Sequence, residues 1–324
     1  MNILHLEQAV KKIGTIAPPS MRYTGMDEHI FFSIIKENKL EIKSEEYIDA
    51  AYFHCYLLKA LGELRNKNEN LADWYLSKID LNNLKVSNQM KDDIGIIYFP
   101  LISYKAYING NYTEALNDLN HSIALIDSKI TISANAIQFL KAKVEQVTNI
   151  FRIHLASKNI NEAIDMATDV LKYLHYQEQS PLFYHAVNLC LETKEHKTDW
   201  LELVDLYTDT IMKKLLVHIQ NQGVDEYALF KSLTTKIYDN KHSNEPEDSI
   251  RLLHEYYNGN VGLFLKSFLN LSSSSFTALP FSMQYIIASK ILKLYQKNSG
   301  IGVSLHWDNF LAQNDTSGFS IGLT

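Results

Sequence analysis

Apolar residues recur every three or four positions on both sides of a Gly110-Asn111 pair, and this spacing constrains the fold more than any other feature of the sequence. A period near 3.6 is that of an α-helix with one buried face. Small Ala115 permits a close helix crossing, and Tyr112 can fill the space beside the turn. The stretch therefore predicts two helices packed face to face around a tight turn. Its apolar positions are Phe99, Ile102, Ala106, Tyr112, Ala115, Leu116, Leu119 and Ile123.

The same frame recurs twice downstream, which predicts repeated helical hairpins. The first recurrence lies 48 residues later, with Lys158-Asn159 in place of the Gly-Asn turn, and the second lies a further 40 residues on. A fixed pattern of this kind is typical of stacked hairpins that share one apolar core. The recurring positions are Val147, Ile150, Ile160, Ala163, Ile164, Ala167 and Leu171, then Val187, Cys190, Trp200, Leu203, Val204, Tyr207 and Ile211.

Few residues in the chain interrupt a helix, since only 12 of the 324 are glycine and 6 are proline. This composition favours an all-α fold. Ser44, followed by Glu45 and Glu46, predicts a helix start that should continue to about Arg65. A shorter helix is predicted from about Leu71 to Ile79. The buried face expected for the longer helix comprises Ile48, Ala51, Tyr52, Cys55, Leu58 and Leu61.

The segment from about Leu57 to Ile211 resembles a tetratricopeptide-repeat array, most closely in Phe99 to Ile126. The resemblance implies a right-handed superhelix of antiparallel helix hairpins, an α-solenoid with a concave binding face. Family repeats are about 34 residues long. The spacings of 40 to 48 residues here imply longer helices or loops and leave a related helical-hairpin solenoid open.

Four segments are expected along the chain. Residues 1–43 are an amino-terminal helical segment, and residues 44–222 hold the repeat array. Residues 223–311 form additional carboxy-terminal helices, where Tyr257-Asn258-Gly259-Asn260 echoes the turn at Gly110 and can continue the array. Residues 312–324, which contain Gly318 and Gly322, are expected to be a tail ordered only by docking.

The charge and the motifs of the sequence argue against several classes of function. With 31 basic and 37 acidic residues the net charge is −6, and no basic cluster is present, so nucleic-acid binding is not expected. No apolar run reaches the length of a membrane span, and no signal sequence is recognisable, which predicts a cytoplasmic protein without membrane contact. Cys55 and Cys190 are expected to be buried thiols in a reducing compartment.

No pattern in the sequence predicts a catalytic site, and no cofactor or metal is expected. The glycine-rich phosphate loops are absent, and the histidines lack the paired spacing of zinc ligands. His254-Glu255 begins like a zinc-protease motif, but Asn258 stands where the second histidine would be. Most aromatic side chains at helical spacing are expected in the core, among them Tyr52, Phe53, Trp74, Tyr112 and Trp200.

The sequence therefore predicts a non-enzymatic scaffold or adaptor that binds a protein or peptide on the concave face of the array. Tyr104 and Tyr107, with Asn149 and Arg152, lie off the apolar stripe on the first helices of two pairs, and they are the candidate partner-binding residues. Two alternatives remain open, a structural subunit of a fixed assembly and an unfamiliar all-helical enzyme. A peptide receptor is expected to be a stable monomer or homodimer, whereas an obligate subunit should be unstable or self-associated alone.

Overall fold

A computed structural model describes residues 3–14, 28–130, 136–186, 194–238 and 249–300, and within these ranges most of the chain is helical and no β-strand occurs. The predicted all-α class is confirmed. Two short 3₁₀ segments, Leu81–Asn83 and Pro181–Ala186, accompany the α-helices. The α-helices of the described ranges are α1 (Ile3–Gly14), α2 (Glu28–Glu37), α3 (Glu45–Arg65), α4 (Glu69–Leu76), α5 (Asn88–Ile108), α6 (Tyr112–Ile130), α7 (Ala136–Ala156), α8 (Ile160–Tyr176), α9 (Lys194–Gln222), α10 (Glu226–Tyr238), α11 (Ser249–Tyr257), α12 (Val261–Asn270), α13 (Ser273–Ala278) and α14 (Phe281–Ser299).

The helices divide between two compact units. Among the described residues, the first unit comprises 28–130, 136–166, 177–186 and 194–200. The second unit comprises 3–14, 167–176, 201–238 and 249–300. This division does not follow the order of the segments expected from the sequence, which stay a prediction, and the tail 312–324 lies outside the described residues.

Serine side chains mark where several helices begin. Ser44 accepts a hydrogen bond from the Tyr47 amide at 3.1 Å, which confirms the predicted start of α3. Ser87 does the same for the Met90 amide at the start of α5, at 3.2 Å. A capping serine satisfies one of the amides that the first helical turn leaves without a carbonyl partner.

The hairpin predicted around Gly110 is present as α5 and α6, which pack against each other. Gly110 adopts a positive φ of 75°, a conformation that glycine reaches without strain. The Asn111 amide donates to the Ala106 carbonyl at 2.9 Å and so closes the end of α5. Ala115 is fully buried, as its small size and position in the pattern predicted.

Proline within α5 explains a hydrogen bond between the two helices of this hairpin. Pro100 has no amide hydrogen, and the carbonyl oxygen of Ile96, four residues earlier, therefore lacks its usual helical donor. The Ser122 hydroxyl of α6 donates to that oxygen at 3.0 Å. Ser103 of α5 donates in the opposite direction, to the Ala115 carbonyl at 2.8 Å. Both serines are buried, so the bonds join the helices within the core.

The helices expected 48 residues downstream are α7 and α8, and α7 packs on α6. Lys158 occupies the turn between them with a φ of 63°, in the place that Gly110 takes in the preceding hairpin. The predicted apolar positions Ala163, Ala167 and Leu171 are buried. In the second recurrence, the core positions Trp200 and Ile211 are buried on α9, while Val187 and Cys190 lie outside the described residues.

The face of α3 that packs inward is only partly the predicted one. Leu61 and Phe53 are buried as expected, whereas Tyr52 and Cys55, expected in the core, are exposed. Both faces carry apolar residues at helical spacing, so the period alone did not identify the buried one. Trp74 of α4 is also exposed, contrary to expectation. The buried positions of α3 are Ala50, Phe53, Leu57, Ala60, Leu61 and Leu64.

In the second unit, α11 and α12 form the further hairpin that the Tyr257–Asn260 turn predicted. Gly259 takes a φ of 81°, and the Asn260 amide donates to the Glu255 carbonyl at 2.8 Å. Helix α1 packs on α12 and α14. Its Lys12 donates to the Phe268 carbonyl at 2.9 Å, near the end of α12, where carbonyl groups favour a cation.

Candidate functional site

The candidate residues proposed from the sequence occupy two helices of the first unit. Tyr104 and Tyr107 lie one turn apart on α5, with ring centroids 6.5 Å apart and nearly parallel planes. Asn149 and Arg152 lie one turn apart on α7, and Arg152 Nη1 donates to Asn149 Oδ1 at 2.8 Å. Each pair is therefore joined by direct contact within its own helix.

The positive charge of Arg152 on α7 acts on Tyr107 on α5, which links the two residue pairs electrostatically. Burial, together with neighbouring Tyr112 and Tyr104, raises the pKa of the Tyr107 phenol, while the Arg152 guanidinium acts in the opposite direction. The guanidinium of α7 thus lies within electrostatic range of a phenol of α5. A positive charge favours the ionised form of a nearby phenol, which is why Arg152 opposes the effect of burial on Tyr107.

A second arginine, Arg65 at the end of α3, acts electrostatically on Tyr104. Burial raises the pKa of Tyr104, and the positive charge of Arg65 opposes that shift. Arg65 is exposed and occupies the last turn of its helix. The positive charges of two arginines on different helices therefore act on the two tyrosines of one stacked pair. We refer to Arg65, Tyr104, Tyr107, Asn149 and Arg152 as the tyrosine–arginine cluster.

A row of polar side chains fixes the α7 part of the cluster. Asn149 Nδ2 donates to Gln146 Oε1 at 3.1 Å, and the Asn149 oxygen accepts from Arg152. These three residues recur every third position and are buried, as are 16 of the 21 residues of α7. Buried polar groups that satisfy one another hold fixed orientations, so the guanidinium is positioned before any partner arrives.

The exposure of the cluster differs from the expectation. Tyr104, Asn149 and Arg152 are buried, whereas an open groove was predicted for them. They lie inside because α7 is covered on nearly every side, which the spacing on one helix cannot reveal. Tyr107 is half-buried and Arg65 is exposed, so these two side chains form the accessible rim. Partner binding by the four proposed residues stays a prediction.

The cluster offers groups of the kind that recognise a ligand. A guanidinium offers several N–H donors in a planar fork that suits a carboxylate, and the tyrosines offer ring faces and hydroxyl groups. These donor groups and ring faces suit an anionic group with an apolar neighbour.

The second unit contains a different charged group, centred on Glu226. Its carboxylate forms an ion pair with buried Lys290 and accepts a hydrogen bond from the Tyr257 hydroxyl at 3.0 Å. Burial alone would raise the pKa of Glu226, but Lys290 lowers it below its usual value. These contacts join α10, α11 and α14, and their mutual satisfaction indicates a structural role.

The histidines considered as ligands take separate structural positions. His54 stacks on Phe31 with ring centroids 4.1 Å apart, and His175 lies 2.8 Å from the Thr208 hydroxyl. His254 contacts the Thr234 carbonyl and Asn258, while neighbouring Glu255 pairs with Arg251. Within the described ranges, no group of three or more metal-ligating side chains converges.

Sequence reasoning missed Arg65, although its position ends a predicted helix. A basic residue in a last turn is ordinarily explained by the helix dipole, so nothing in the local pattern separates the two roles. The Glu226 group was also missed. Its partner Lys290 lies 64 positions away, and no local spacing could have connected them.

Comparison of the chain with family models, with curated proteins and with solved structures finds no match. Across the part of the chain that the structure describes, no helix has both the length and the apolar character needed to cross a membrane.

Proposed function

We propose that the first unit binds an extended protein or peptide segment, without catalytic turnover, through the tyrosine–arginine cluster. The observations that carry the proposal are the stacked tyrosine pair of α5 and the Arg152–Asn149 contact of α7. The positive charges of Arg65 and Arg152 oppose the rise in pKa of Tyr104 and Tyr107, respectively. Such a site suits a segment that places a carboxylate beside an apolar side chain.

The helical hairpins support this proposal by their packing. Helices α5, α6 and α7 pack in sequence, and turns with a left-handed residue join α5 to α6 and α7 to α8. We propose that they belong to a short right-handed superhelix of tetratricopeptide type, whose first helices present side chains to one concave face. Tyr107 of α5 and Arg152 of α7 stand on such first helices, and the chain would act as a cytoplasmic adaptor.

The rim of the cluster defines how a partner would enter. Arg65 is exposed and can meet a carboxylate first, with little desolvation. Half-buried Tyr107 then contacts an apolar side chain, and the charge of Arg152, which acts on the Tyr107 phenol, adds positive potential there. The proposal therefore assigns direct contact to Arg65 and Tyr107, and a positioning role to Asn149 and Arg152.

Binding of the full-length protein to defined peptides tests the proposal. The probe is a library of short fluorescein-labelled peptides that combine one aspartate or glutamate with one leucine or phenylalanine, each with a free or an amidated carboxy terminus. Fluorescence polarisation should identify binders, and Arg65→Glu and Tyr107→Ala should each weaken the best of them by about tenfold or more, equal to about 1.4 kcal/mol.

Lys85→Glu is the matched control, because it makes the same change of charge at another exposed position of the same unit. It should alter the dissociation constant by less than about twofold, which a change of less than about 0.4 kcal/mol produces. Circular dichroism should show that all three variants remain folded. A library without binders, or equal losses for Arg65→Glu and Lys85→Glu, would contradict the proposal.

A further inference from the structure

The outward face of α3 carries a row of apolar side chains that stay exposed among the residues that the structure describes. Ile48 is 45% exposed, Tyr52 is 64% exposed and Leu58 is 37% exposed, and the Cys55 side chain is also exposed. Ile48, Tyr52 and Cys55 follow one another at steps of four and three residues, so they lie on one side of the helix. The opposite side supplies the buried residues of α3.

A row of this kind differs from ordinary surface residues. Single exposed apolar side chains are common, whereas aligned ones mark an interaction site. The terminal hairpins of helical arrays usually present a polar outer face to water. Helical spacing of the row also indicates the shape of its occupant, since an amphipathic helix meets such anchors one turn at a time.

Opposite charges stand at the two ends of the row. Glu45 precedes Ile48 by three residues, and Lys59 follows Cys55 by four, so both continue the same face. Both side chains are exposed. Lys59 Nζ lies 5.6 Å from the ring centroids of Tyr56 and Tyr75, and these cation–π contacts hold the ammonium at its end of the row.

We propose that this row, comprising Glu45, Ile48, Tyr52, Cys55 and Lys59, binds the same row of a second copy of the chain, with the two α3 helices antiparallel. In that arrangement Glu45 of each copy meets Lys59 of the other. A parallel pair would place like charges together at both ends. The charge pattern therefore favours a second copy in one orientation.

The same two charged residues determine the register in which the two α3 helices pair. Tyr52 is seven residues from Glu45 and seven from Lys59, so pairing the charged ends places Tyr52 on the two-fold axis, facing itself. Exposed ion pairs contribute only about 0–1 kcal/mol each, and the apolar row must supply most of the affinity. One helix from each copy buries less than the roughly 1,200 Å² of a stable interface, so dimerisation should depend on concentration.

The first experiment measures the molar mass of the full-length protein by sedimentation equilibrium over a series of concentrations. Wild type should shift from monomer towards dimer, and Tyr52→Asp should raise the dimer dissociation constant by tenfold or more. Tyr184→Asp is the matched control, because Tyr184 is a tyrosine of similar exposure, 66%, outside α3. It should leave the dissociation constant unchanged.

Charge reversal tests the orientation. Glu45→Lys alone and Lys59→Glu alone each bring like charges together in an antiparallel pair, and both should weaken dimerisation. The double variant restores opposite charges at both ends and should regain the wild-type dissociation constant within about twofold. An antiparallel pair predicts this rescue because each Lys then faces a Glu of the other copy.

A disulfide tests the register. In a Cys55→Ser, Cys190→Ser background, Tyr52→Cys should form a covalent dimer on mild oxidation, and Tyr184→Cys should not. In the wild-type protein the two Cys55 residues would be offset by six residues, roughly 9 Å along the helix axis, beyond the roughly 7 Å Cα separation that a disulfide spans. Wild type should therefore not form a disulfide between the two copies at this position.

Three outcomes would overturn the proposal. One is a monomer at every concentration, which would indicate that the row binds a helix of another protein and not a second copy. Another is equal weakening by Tyr52→Asp and Tyr184→Asp, which would place the contact elsewhere. The third is failure of the double charge reversal to rescue dimerisation when circular dichroism shows the variant folded. The peptide-binding proposal is independent, since the row and the tyrosine–arginine cluster have no residue in common.

Discussion

The Ser122 hydroxyl donates to the carbonyl oxygen of Ile96 at 3.0 Å, so α6 supplies a hydrogen bond that α5 cannot make for itself. Pro100 is the reason, because it lacks the amide that would otherwise reach Ile96. Both side chains at this contact are buried. A helix with an internal proline is thus made compatible with the core by its neighbour in the hairpin.

Replacing Ser122 with alanine should lower the free energy of unfolding by about 1–2 kcal/mol, because the Ile96 carbonyl is left buried without a donor. In a Pro100→Ala background the same replacement should cost about 1 kcal/mol less, since an amide at position 100 then serves Ile96. Urea unfolding measures all four members of this cycle. Ser128→Ala, at an exposed serine of α6, is the control and should change stability by less than about 0.5 kcal/mol. Equal costs in both backgrounds would contradict the compensation.

Breaking the buried ion pair between Asp93 and Lys129 should lower the free energy of unfolding more than losing the Ser122 hydrogen bond does. Their charged atoms lie 2.6 Å apart, and Asn38 also donates to Asp93 at 2.7 Å. Lys129→Met removes the countercharge of a buried carboxylate and should cost about 3–5 kcal/mol in urea unfolding. Adding Asp93→Leu should recover most of that loss, because no charge then remains buried.

The control for the buried pair is an exposed one in the same unit. Lys105 lies 2.6 Å from Asp73, and both side chains are substantially exposed. Lys105→Met should therefore change the free energy of unfolding by no more than about 1 kcal/mol. Similar losses for Lys105→Met and Lys129→Met would show that burial does not set the strength of the effect.

Two glycines should respond to alanine in opposite directions. Gly62 lies inside α3 with open space around it, and Gly62→Ala should stabilise the protein by about 0.5–1 kcal/mol through helix propensity. Gly110 has equally open space but a φ of 75°, and Gly110→Ala should destabilise by about 1 kcal/mol or more. Thermal and urea unfolding of both variants measure the contrast, and a gain at Gly110 would refute the assigned turn conformation.

Protonation of His54 should weaken the fold in mild acid. Burial lowers its pKa to about 4 in the folded state, against an ordinary value near 6.5 in the unfolded chain. The unfolded state therefore binds the proton first, and stability present above pH 6.5 is lost as the pH falls towards 4. The linkage amounts to about 2 kcal/mol between pH 7 and pH 5.

His54→Phe should remove that loss while keeping a ring against Phe31. The measurement is the free energy of unfolding at several pH values between 7 and 4.5. His121→Phe is the control, because His121 also stacks on a phenylalanine, with a centroid distance of 4.1 Å, and its replacement leaves His54 in place. It should keep the acid sensitivity of the wild type, and loss of sensitivity in this control would contradict the assignment to His54.

Local signals in the sequence located helices well. Ser44 predicted the start of α3, and Gly110 predicted the turn between α5 and α6, because capping and turn chemistry act within a few residues. The predicted face of α3 was wrong at Ile48, Tyr52, Cys55 and Leu58, because two apolar rows run along that helix. One row, with Phe53, is buried against neighbours, and the other, with Tyr52, is exposed among the described residues. Tertiary neighbours make that choice, and they are distant in sequence.

The candidate site could be predicted only in part, again because local spacing does not identify tertiary neighbours. Tyr104, Tyr107, Asn149 and Arg152 were selected by helical spacing, which says which side chains share a face. Spacing does not say whether another helix covers that face, so the burial of Asn149 could not be foreseen. The position of Arg65 beside Tyr104 depends on how α3 is placed relative to α5, which no local pattern encodes.

The enclosure of α7 has a consequence for how the protein opens. Its amides reach solvent only after neighbouring helices have moved away, even though many of its side chains are polar. In deuterium exchange, the centre of α7 around Thr148 should therefore be among the slowest regions of the first unit to take up label, with protection approaching the free energy of global unfolding. The short, partly exposed α4 should exchange early and independently.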